Sequence, residues 1–392
     1  MSCATTPAEV LAGVTELLPA LRDRAQRTED LRRIPDETVA ELQDTGFFRL
    51  LQPTRFAGFE ASPIDFYRAV RSIASACGST GWVSSVLGVH PWQLAIFDDR
   101  AQQEVWGDDP ATLISSSYAP MGRATATEGG FTFSGRWSFS SGCDHAQWIF
   151  LGGLVIGPDG TPVDFRTFLL PRADYEIEDV WDTVGLRGTG SNDIVVTEAF
   201  VPEYRTLSFM DTGRCFGPGQ AVNTGPLYRL PFASVFSCSI SNPVLGMAQG
   251  AYEAYVGWTK ERVRASTGGK AADDSFNQMR IAEAASRIDG AVLQLERNLE
   301  EEYDYAVKGE KIPMPLRVRV RRDQVNATGA GVAAVDRLFE SAGGRALRTG
   351  TPIQRFWRDA HAGRVHAIND PEKALAMYGQ FELGLKVQDA WL

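Results

Sequence analysis

Residues 135–145 read GRWSFSSGCDH, and the character of the chain changes within this stretch. Its first half is typical of a β-strand, because Trp137 and Phe139 favour extended structure and follow Phe131 and Phe133. Its second half is a turn of small polar residues. An aromatic side chain beside closely spaced hydroxyls can wall a planar ring and hydrogen-bond its edge. A tryptophan in such a strand is more often part of the core, so the residues alone leave both interpretations open.

Helical periodicity dominates the sequence before this stretch. Apolar residues recur every three or four positions over residues 7–50 and again over 63–107. From Leu113 the pattern changes to short β-like runs separated by Gly, Pro and Asp, and the first run is predicted to end at Pro120. Helices are predicted again from Pro243 onward. The order of elements is therefore α, then β, then α.

This order predicts an α+β fold of three domains, since 392 residues exceed what one core usually supports. We expect an N-terminal helical domain over residues 1–112, a central β domain over 113–212 and a C-terminal helical bundle domain over 213–392. The periodic segments near the C-terminus suit a four-helix bundle. The small residues within 77–82 predict either a break between helices or a close helix–helix contact.

The composition narrows the class of function. A formal net charge of −10 and a pI near 5.1 argue against a nucleic-acid partner. No apolar run reaches ~18 residues, which predicts no membrane-spanning helix. The five cysteines have no paired or metal-ligand spacing and the four histidines form no HExxH motif, so we expect reduced thiols, a cytoplasmic protein and no metal. A nucleotide cofactor would not be held by a GxGxxG or GxxxxGK[ST] motif, because neither is present.

Several segments resemble the acyl-CoA dehydrogenase superfamily, and the resemblance spans nearly the whole chain. They are residues 135–141, residues 185–191 running on to Val201-Pro202, Gly343-Gly344, and Arg358-Asp359-Ala360. The resemblance implies an acyl-CoA dehydrogenase-like fold and a flavin cofactor. In those dehydrogenases a Glu-Gly-Thr segment commonly carries the catalytic base, whereas here Ala367-Ile368-Asn369 follows His366. The missing carboxylate argues against dehydrogenation of an acyl thioester.

The chain also resembles the flavin-dependent monooxygenases of this fold, which are the oxygenase components of two-component phenol hydroxylases. The similarity is strongest to the oxygenases of bacterial cholesterol and steroid degradation, and it is carried by residues 77–82, 114–120, 140–145 and 355–366. It implies ortho-hydroxylation of a phenolic 9,10-secosteroid to a catechol, with O2 and a reduced flavin (FMNH2 or FADH2), through a C4a-hydroperoxyflavin. It also implies a homotetramer and a separate NAD(P)H-dependent flavin reductase that supplies the reduced flavin.

The same resemblance implies roles for individual residues. His90 would take the proton of the phenol, a task that suits a histidine because its ordinary pKa lies near neutrality. Ser116 would contact the substrate together with His90. Ser141 would hydrogen-bond the flavin near N5 and slow the collapse of the hydroperoxide to H2O2, while His366 would assist oxygen activation. His90 follows Trp82 by just over two helical turns, so both side chains could reach one pocket.

The flavin contacts that the resemblance implies form a larger set. Residues 137–141 would supply the wall and the hydrogen-bonding edge of the flavin pocket. Arginines are candidates for the flavin phosphate, because the guanidinium fork matches phosphate oxygens. The residues expected to contact the flavin are Trp82, Ser116, Ser117, Tyr118, Phe139, Ser140, Ser141, Arg262, Arg264, Gly344, Arg345 and His366.

Alternatives stay open beside this function. The substrate could be a smaller phenol such as p-hydroxyphenylacetate, or the protein could be an acyl-CoA dehydrogenase-type flavoenzyme. An interpretation from another class is a catalytically silent flavin-binding or scaffold protein. The residues do not decide between FMN and FAD. They also leave open whether Ser140 or Ser141, and whether Arg262 or Arg264, makes the important flavin contact.

Overall fold

The computed structural model describes residues 4–263 and 268–387, so the predicted flavin contact Arg264 lies outside the described residues. The N-terminal part of the chain is helical. Its helices are α1 (Pro7–Leu31), α2 (Asp36–Asp44), α3 (Pro63–Ala76), α4 (Gly78–Leu94) and α5 (Asp99–Trp106). The helical character predicted for the start of the chain is confirmed.

The break between α3 and α4 positions the helix that carries two of the predicted site residues. Ser62 caps α3 with its side chain, and Pro63 occupies the first helical turn. Cys77 has an extended backbone, with a φ of −148°, and separates the two helices. Gly81 lets α4 pack closely on α3, since a Cβ at this position would lie 2.3 Å from the Cβ of Ala74. The segment is therefore both a helix break and a close helix contact.

The central part of the chain forms one seven-stranded sheet. Its strands are β1 (Ile114–Thr127), β2 (Gly130–Ser140), β3 (Trp148–Ile156), β4 (Pro162–Pro171), β5 (Glu176–Glu178), β6 (Asn192–Pro202) and β7 (Thr206–Ser208). Their order in the sheet is β5-β6-β2-β1-β3-β4-β7, in which β1 and β3 are parallel and the other pairs are antiparallel.

The expectation that the first strand ends at Pro120 is wrong. Strand β1 continues past this proline to Thr127. Its pairing with β3 shifts register between Ser117 and Gly122, so the proline, which has no N–H to donate, falls in an irregular part of the ladder.

Trp137 belongs to the core of the sheet. Its ring is fully buried and packs on Phe133, with the ring centroids 5.2 Å apart. Its Nε1 donates to the carbonyls of Gly152 and Ala119, at 2.8 and 3.1 Å. The expectation that Trp137 helps to wall a flavin pocket is therefore wrong, because the side chain has no exposed surface and its N–H is bonded within the sheet.

The C-terminal part of the chain is helical again. Its helices are α6 (Phe209–Gly213), α7 (Phe232–Glu261), α8 (Ser275–Lys308), α9 (Met314–Ala342), α10 (Pro352–Arg364) and α11 (Pro371–Glu382). Helix α7 begins well before Pro243, which lies inside it, so the predicted start is wrong. Helices α7 to α10 pack on one another as the predicted bundle, and α7 also contacts α3 and α4.

The boundaries drawn at residues 112/113 and 212/213 stay predictions. The sheet itself lies between Ile114 and Ser208, and the short helix α6 follows it directly. Within the described ranges, no helix is long and apolar enough to cross a membrane.

Candidate active site

Helix α4 organises the site. All 17 of its residues are buried, so each polar side chain on it needs a partner inside the protein. Trp82, in the first part of the helix, bonds to the turn that contains Ser141. His90, two turns later, bonds to strand β1. These two side chains, which could have shared one pocket, each make a hydrogen-bonded cluster of their own.

The first group, the His90 cluster, consists of His90, Ser116, Tyr118 and Gln93. The His90 Nδ1 lies 2.5 Å from the carbonyl oxygen of Ile114, and its Nε2 lies 2.9 Å from the Ser116 hydroxyl. A carbonyl only accepts, so the proton of the neutral ring is on Nδ1, and Nε2 accepts from Ser116. Burial lowers the pKa of His90 to about 4. At pH 7 this histidine is therefore a neutral acceptor.

Tyr118 closes this cluster on its far side. Its hydroxyl donates to the side-chain carbonyl of Gln93, and burial raises its pKa well above the ordinary value, so it stays protonated. Its ring packs edge-on against Phe236, with centroids 4.9 Å apart, and also contacts Phe232 and Phe209. An aromatic wall thus lies next to the His90 imidazole, whose centroid is 6.3 Å from that of Tyr118.

The second group, the Ser141 cluster, consists of Trp82, Ser141, Ser191 and Thr189. The Trp82 Nε1 donates to the Ser141 hydroxyl at 3.1 Å. The hydroxyls of Ser141 and Ser191 are 2.8 Å apart, and those of Ser191 and Thr189 are 2.7 Å apart. Thr189 donates to the Leu186 carbonyl at 3.0 Å. All four side chains of the cluster are buried.

Sequence reasoning missed Thr189 and Ser191. Both lie in residues 185–191, which carry part of the family resemblance, but neither was given a role. The segment folds into a short 3₁₀ turn, and Gly190 follows it with a φ of 52°. The available signal was the concentration of small hydroxyl residues beside a glycine.

His366 approaches the Ser141 cluster from the C-terminal helices. Its ring centroid lies 5.8 Å from that of Trp82. Its Nδ1 accepts the backbone N–H of Ile368 at 3.2 Å and thereby caps the turn Ala367–Asn369. The proton of the neutral ring is therefore on Nε2, which has no hydrogen-bond partner among residues 4–263 and 268–387. Desolvation lowers the pKa of this part-buried histidine to about 4, so at pH 7 it presents a neutral N–H donor.

Asn369 ends the Ala367–Asn369 segment that stands, by the resemblance described above, in place of the Glu-Gly-Thr segment of the dehydrogenases. Its amide donates to the carbonyl of Gly363 at 2.8 Å. Its side-chain oxygen accepts from Gln324 at 2.7 Å and from Thr328 at 3.2 Å. This side chain is used inside the protein and offers no carboxylate base.

Phe139 shows backbone strain at the edge of the site. It has a φ of 69°, which a non-glycine residue rarely adopts, and the residue is 69% exposed. The ring meets Trp181 edge-on, with centroids 6.2 Å apart. Its neighbours Ser117 and Ser140 instead bond within the sheet, to the Ser138 carbonyl at 2.9 Å and to the Ser115 hydroxyl at 3.4 Å.

The predicted phosphate contact Arg262 is bonded to the end of a helix. Its Nη1 donates to the carbonyls of Ala342 and Ser341, at 2.9 and 3.3 Å, and so caps α9. Gly344 and Arg345 follow in an exposed turn. Within the described part of the chain, no hydrogen bond joins these three residues to either cluster. Their contact with a flavin stays a prediction.

Comparison with known proteins places this architecture in a family. Residues 238–371 match the family model "Acyl-CoA dehydrogenase, C-terminal domain". The chain is 58% identical to the flavin-dependent monooxygenase oxygenase subunit HsaA of Rhodococcus jostii, covering 95% of this chain and 98% of that protein. It is 56% identical to the HsaA oxygenase subunit of Mycobacterium tuberculosis, covering 97% and 96%. The crystal structure of 3-HSA hydroxylase from Rhodococcus sp. RHA1 matches with a TM-score of 0.95 at 57% identity, covering 98% of this chain and 99% of that chain.

The fold and the site define a flavoenzyme of acyl-CoA dehydrogenase-like architecture. The chain belongs to the family of flavin-dependent monooxygenase oxygenase subunits. Its cofactor is a flavin and its oxidant is O2, and an oxygenase subunit works with a separate reductase component.

The residues present fit such a cofactor. A flavin is a flat ring whose edge carries hydrogen-bond donors and acceptors. The free N–H of His366, the Ser141 hydroxyl and the exposed side chain of Phe139 provide polar and aromatic contacts for such a group.

Proposed function

We propose that this enzyme hydroxylates a phenolic 9,10-secosteroid at the ortho position to give a catechol, with reduced flavin delivered by an NAD(P)H-dependent reductase. The observation that carries the proposal is the buried acceptor nitrogen of His90 with the Ser116 hydroxyl at 2.9 Å. It is supported by the high identity to two HsaA oxygenase subunits and to a 3-HSA hydroxylase.

His90 and Ser116 bind the phenol in this proposal. When the phenol binds, Ser116 turns its proton from Nε2 to the phenolic oxygen, and the lone pair of Nε2 that this frees accepts the phenolic proton. The low pKa of His90 in the ligand-free protein does not prevent this, because a phenolate beside the imidazolium is an opposite charge that raises its pKa. Removing the proton makes the ortho carbon electron-rich and ready to take up an electrophilic oxygen.

The surroundings of His90 suit an apolar, multi-ring substrate. The edge-on rings of Tyr118, Phe232 and Phe236 form a wall with few polar groups beside the imidazole. Such a wall excludes water and favours a rigid hydrocarbon frame. A small phenol that carries its own carboxylate would bring a charge to this wall without a partner among these rings.

The flavin supplies the activated oxygen when it is bound. Trp82, Phe139, Ser141 and His366 would hold and orient its ring. Ser141 hydrogen-bonds near N5 in this proposal, and His366 contributes its Nε2 proton. We also propose that the enzyme is a cytoplasmic homotetramer, which sedimentation analysis of the purified protein would test.

Product analysis tests the proposed function. The enzyme is mixed with FMNH2 or FADH2, O2 and a phenolic secosteroid, and the catechol is measured by mass spectrometry. We expect secosteroid catechol with either flavin or with one of them, and little product from p-hydroxyphenylacetate. Hydroxylation of the small phenol alone would refute the steroid substrate. Bleaching of bound oxidised flavin by an acyl-CoA, without any catechol, would refute the hydroxylase.

A further inference from the structure

The Ser141 cluster is a hydrogen-bonded line whose protons can be counted. At one end the Trp82 indole only donates, and at the other end the Leu186 carbonyl only accepts. Between them lie the hydroxyls of Ser141, Ser191 and Thr189, each with one proton. Every contact in the line is satisfied only when each hydroxyl donates to the next group away from Trp82.

This donor order makes Ser141 an acceptor towards any ligand. Its proton is used by Ser191, and one of its two lone pairs takes the Trp82 N–H, so one lone pair is left. The reversed order would free the Ser141 proton. It would also leave the 3.0 Å contact between the Thr189 hydroxyl and the Leu186 carbonyl without a proton. The first order therefore contains one more hydrogen bond.

We propose that Thr189 and Ser191 are positioning residues that keep Ser141 a hydrogen-bond acceptor, so that the site favours a flat ligand with an N–H at this point. The inference rests on the proposed function, in which Ser141 faces N5 of the flavin. Reduced flavin carries a hydrogen on N5, whereas oxidised flavin presents a lone pair there. The line of hydroxyls thus favours reduced over oxidised flavin, although Thr189 itself is buried at the far end of the line.

Thr189→Val tests this, because the change keeps the shape of the side chain and removes its hydroxyl. Without that hydroxyl the two donor orders hold the same number of bonds, and Ser141 becomes free to donate. We expect oxidised FMN to bind about five-fold more tightly than to the wild type, the change that one net hydrogen bond of about 1 kcal/mol gives. Dissociation constants for oxidised and photoreduced FMN are measured anaerobically by ultrafiltration.

Oxidised 5-deaza-FMN provides a probe that needs no turnover. It carries a C–H where FMN has the N5 lone pair, so the wild type should bind it more tightly than oxidised FMN. In Thr189→Val the ratio of the affinity for 5-deaza-FMN to the affinity for oxidised FMN should fall about five-fold. Ser191→Ala frees the same Ser141 proton from the other side and should act in the same direction.

Two control variants separate this effect from lost packing. Thr28→Val removes another buried hydroxyl, which donates to the Arg24 carbonyl at 3.0 Å and belongs to a side chain packed on Gly188. It should leave the flavin preference unchanged, and Thr189→Ser should restore it. Unchanged preferences in both Thr189→Val and Ser191→Ala would overturn the inference while leaving the proposed function intact. A wild type that binds neither reduced nor oxidised flavin would overturn both.

Discussion

The two histidines of the site both present their Nε2 atom, but in opposite hydrogen-bonding roles. His90 gives its Nδ1 proton to the Ile114 carbonyl and presents Nε2 as an acceptor. His366 accepts the Ile368 N–H on Nδ1 and presents Nε2 as a donor. Desolvation lowers the pKa of both to about 4, so neither is charged at pH 7. Near the aromatic wall the protein therefore offers a base, and near Trp82 it offers a proton.

The backbone, rather than the histidine, sets this difference. His90 meets the carbonyl at the start of β1, whereas His366 caps a 3₁₀ turn whose free N–H points at its ring. Each backbone group fixes one tautomer, and the tautomer fixes what the other nitrogen can do. Two side chains with the same chemistry and a similarly lowered pKa thus present opposite hydrogen-bonding groups, one an acceptor and the other a donor.

The largest effect is expected from removing the acceptor. His90→Ala takes away the group that deprotonates the phenol in the proposed function, and general-base catalysis contributes about 10²–10⁴-fold. Catechol formation should fall by about that factor, while oxygen is still reduced and released as H2O2. Catechol and H2O2 are measured in the same reaction.

His361→Ala is the matched control for this variant. His361 lies on α10, where its Nδ1 is 2.8 Å from the Trp357 carbonyl oxygen, and no hydrogen bond of the described residues joins it to the His90 cluster. Its loss should leave the ratio of catechol to H2O2 unchanged. The same ratio in His90→Ala and the wild type would remove His90 as the base.

The pH dependence of the unfolding free energy tests whether burial keeps His90 neutral. Its pKa is about 4 in the folded protein and ordinarily 6.5, so below pH 6.5 the unfolded chain binds a proton that the folded protein does not. Relative to His90→Asn, the wild type should lose about 1.4 kcal/mol of unfolding free energy per pH unit between pH 6.5 and 4.

Urea unfolding of both proteins at pH 7, 6 and 5 measures this difference. The wild type must be compared with His90→Asn because other buried groups also titrate. Burial raises the pKa of Glu302 to about 8 and that of Asp359 to about 7, which stabilises the folded protein as pH falls below those values. These carboxyls are the same in both proteins and cancel. A pH-independent difference would mean that His90 is not held neutral by burial.

The order of helices and strands, together with the family, could be predicted from the sequence, but the hydrogen bonds of the site could not. Periodicity is a local property, and it located the helices and most strands. Trp137 was misplaced because a strand shows which residues alternate but not which face meets the cofactor. Pro120 was misplaced because only the register with β3 reveals the irregular pairing that tolerates it.

Thr189 and Ser191 could not be assigned for a related reason. Their role depends on a line of hydroxyls that joins α4, the turn after β2 and residues 185–191, which are far apart in the sequence. The tautomers of His90 and His366 likewise depend on single backbone contacts. Family resemblance identifies the residues near a cofactor, whereas the direction of each proton requires the coordinates.

A smaller effect is expected from removing the donor, His366. His366→Ala removes the hydrogen bond that the proposed function assigns between His366 and the flavin, worth about 1 kcal/mol, so reduced FMN should bind about five-fold more weakly. His366→Gln can place an amide N–H near the position of Nε2 and should recover most of the affinity. Anaerobic titration measures both, and equal affinities in His366→Ala and the wild type would mean that this proton does not face the cofactor.

The smallest effect is expected at Ser141, where Ala removes the acceptor but leaves Trp82 and Ser191 in place. Because only one hydrogen bond to the flavin is lost, its binding should weaken only a few-fold, while a larger share of the oxygen leaves as H2O2. Ser75→Ala is the matched control, because that hydroxyl also lies in the protein interior and donates to the Ser72 carbonyl at 2.8 Å. An H2O2 share in Ser141→Ala equal to that of Ser75→Ala would mean that Ser141 does not slow the loss of the activated oxygen as H2O2. The functional difference between the two clusters would then rest on His90 and His366 alone.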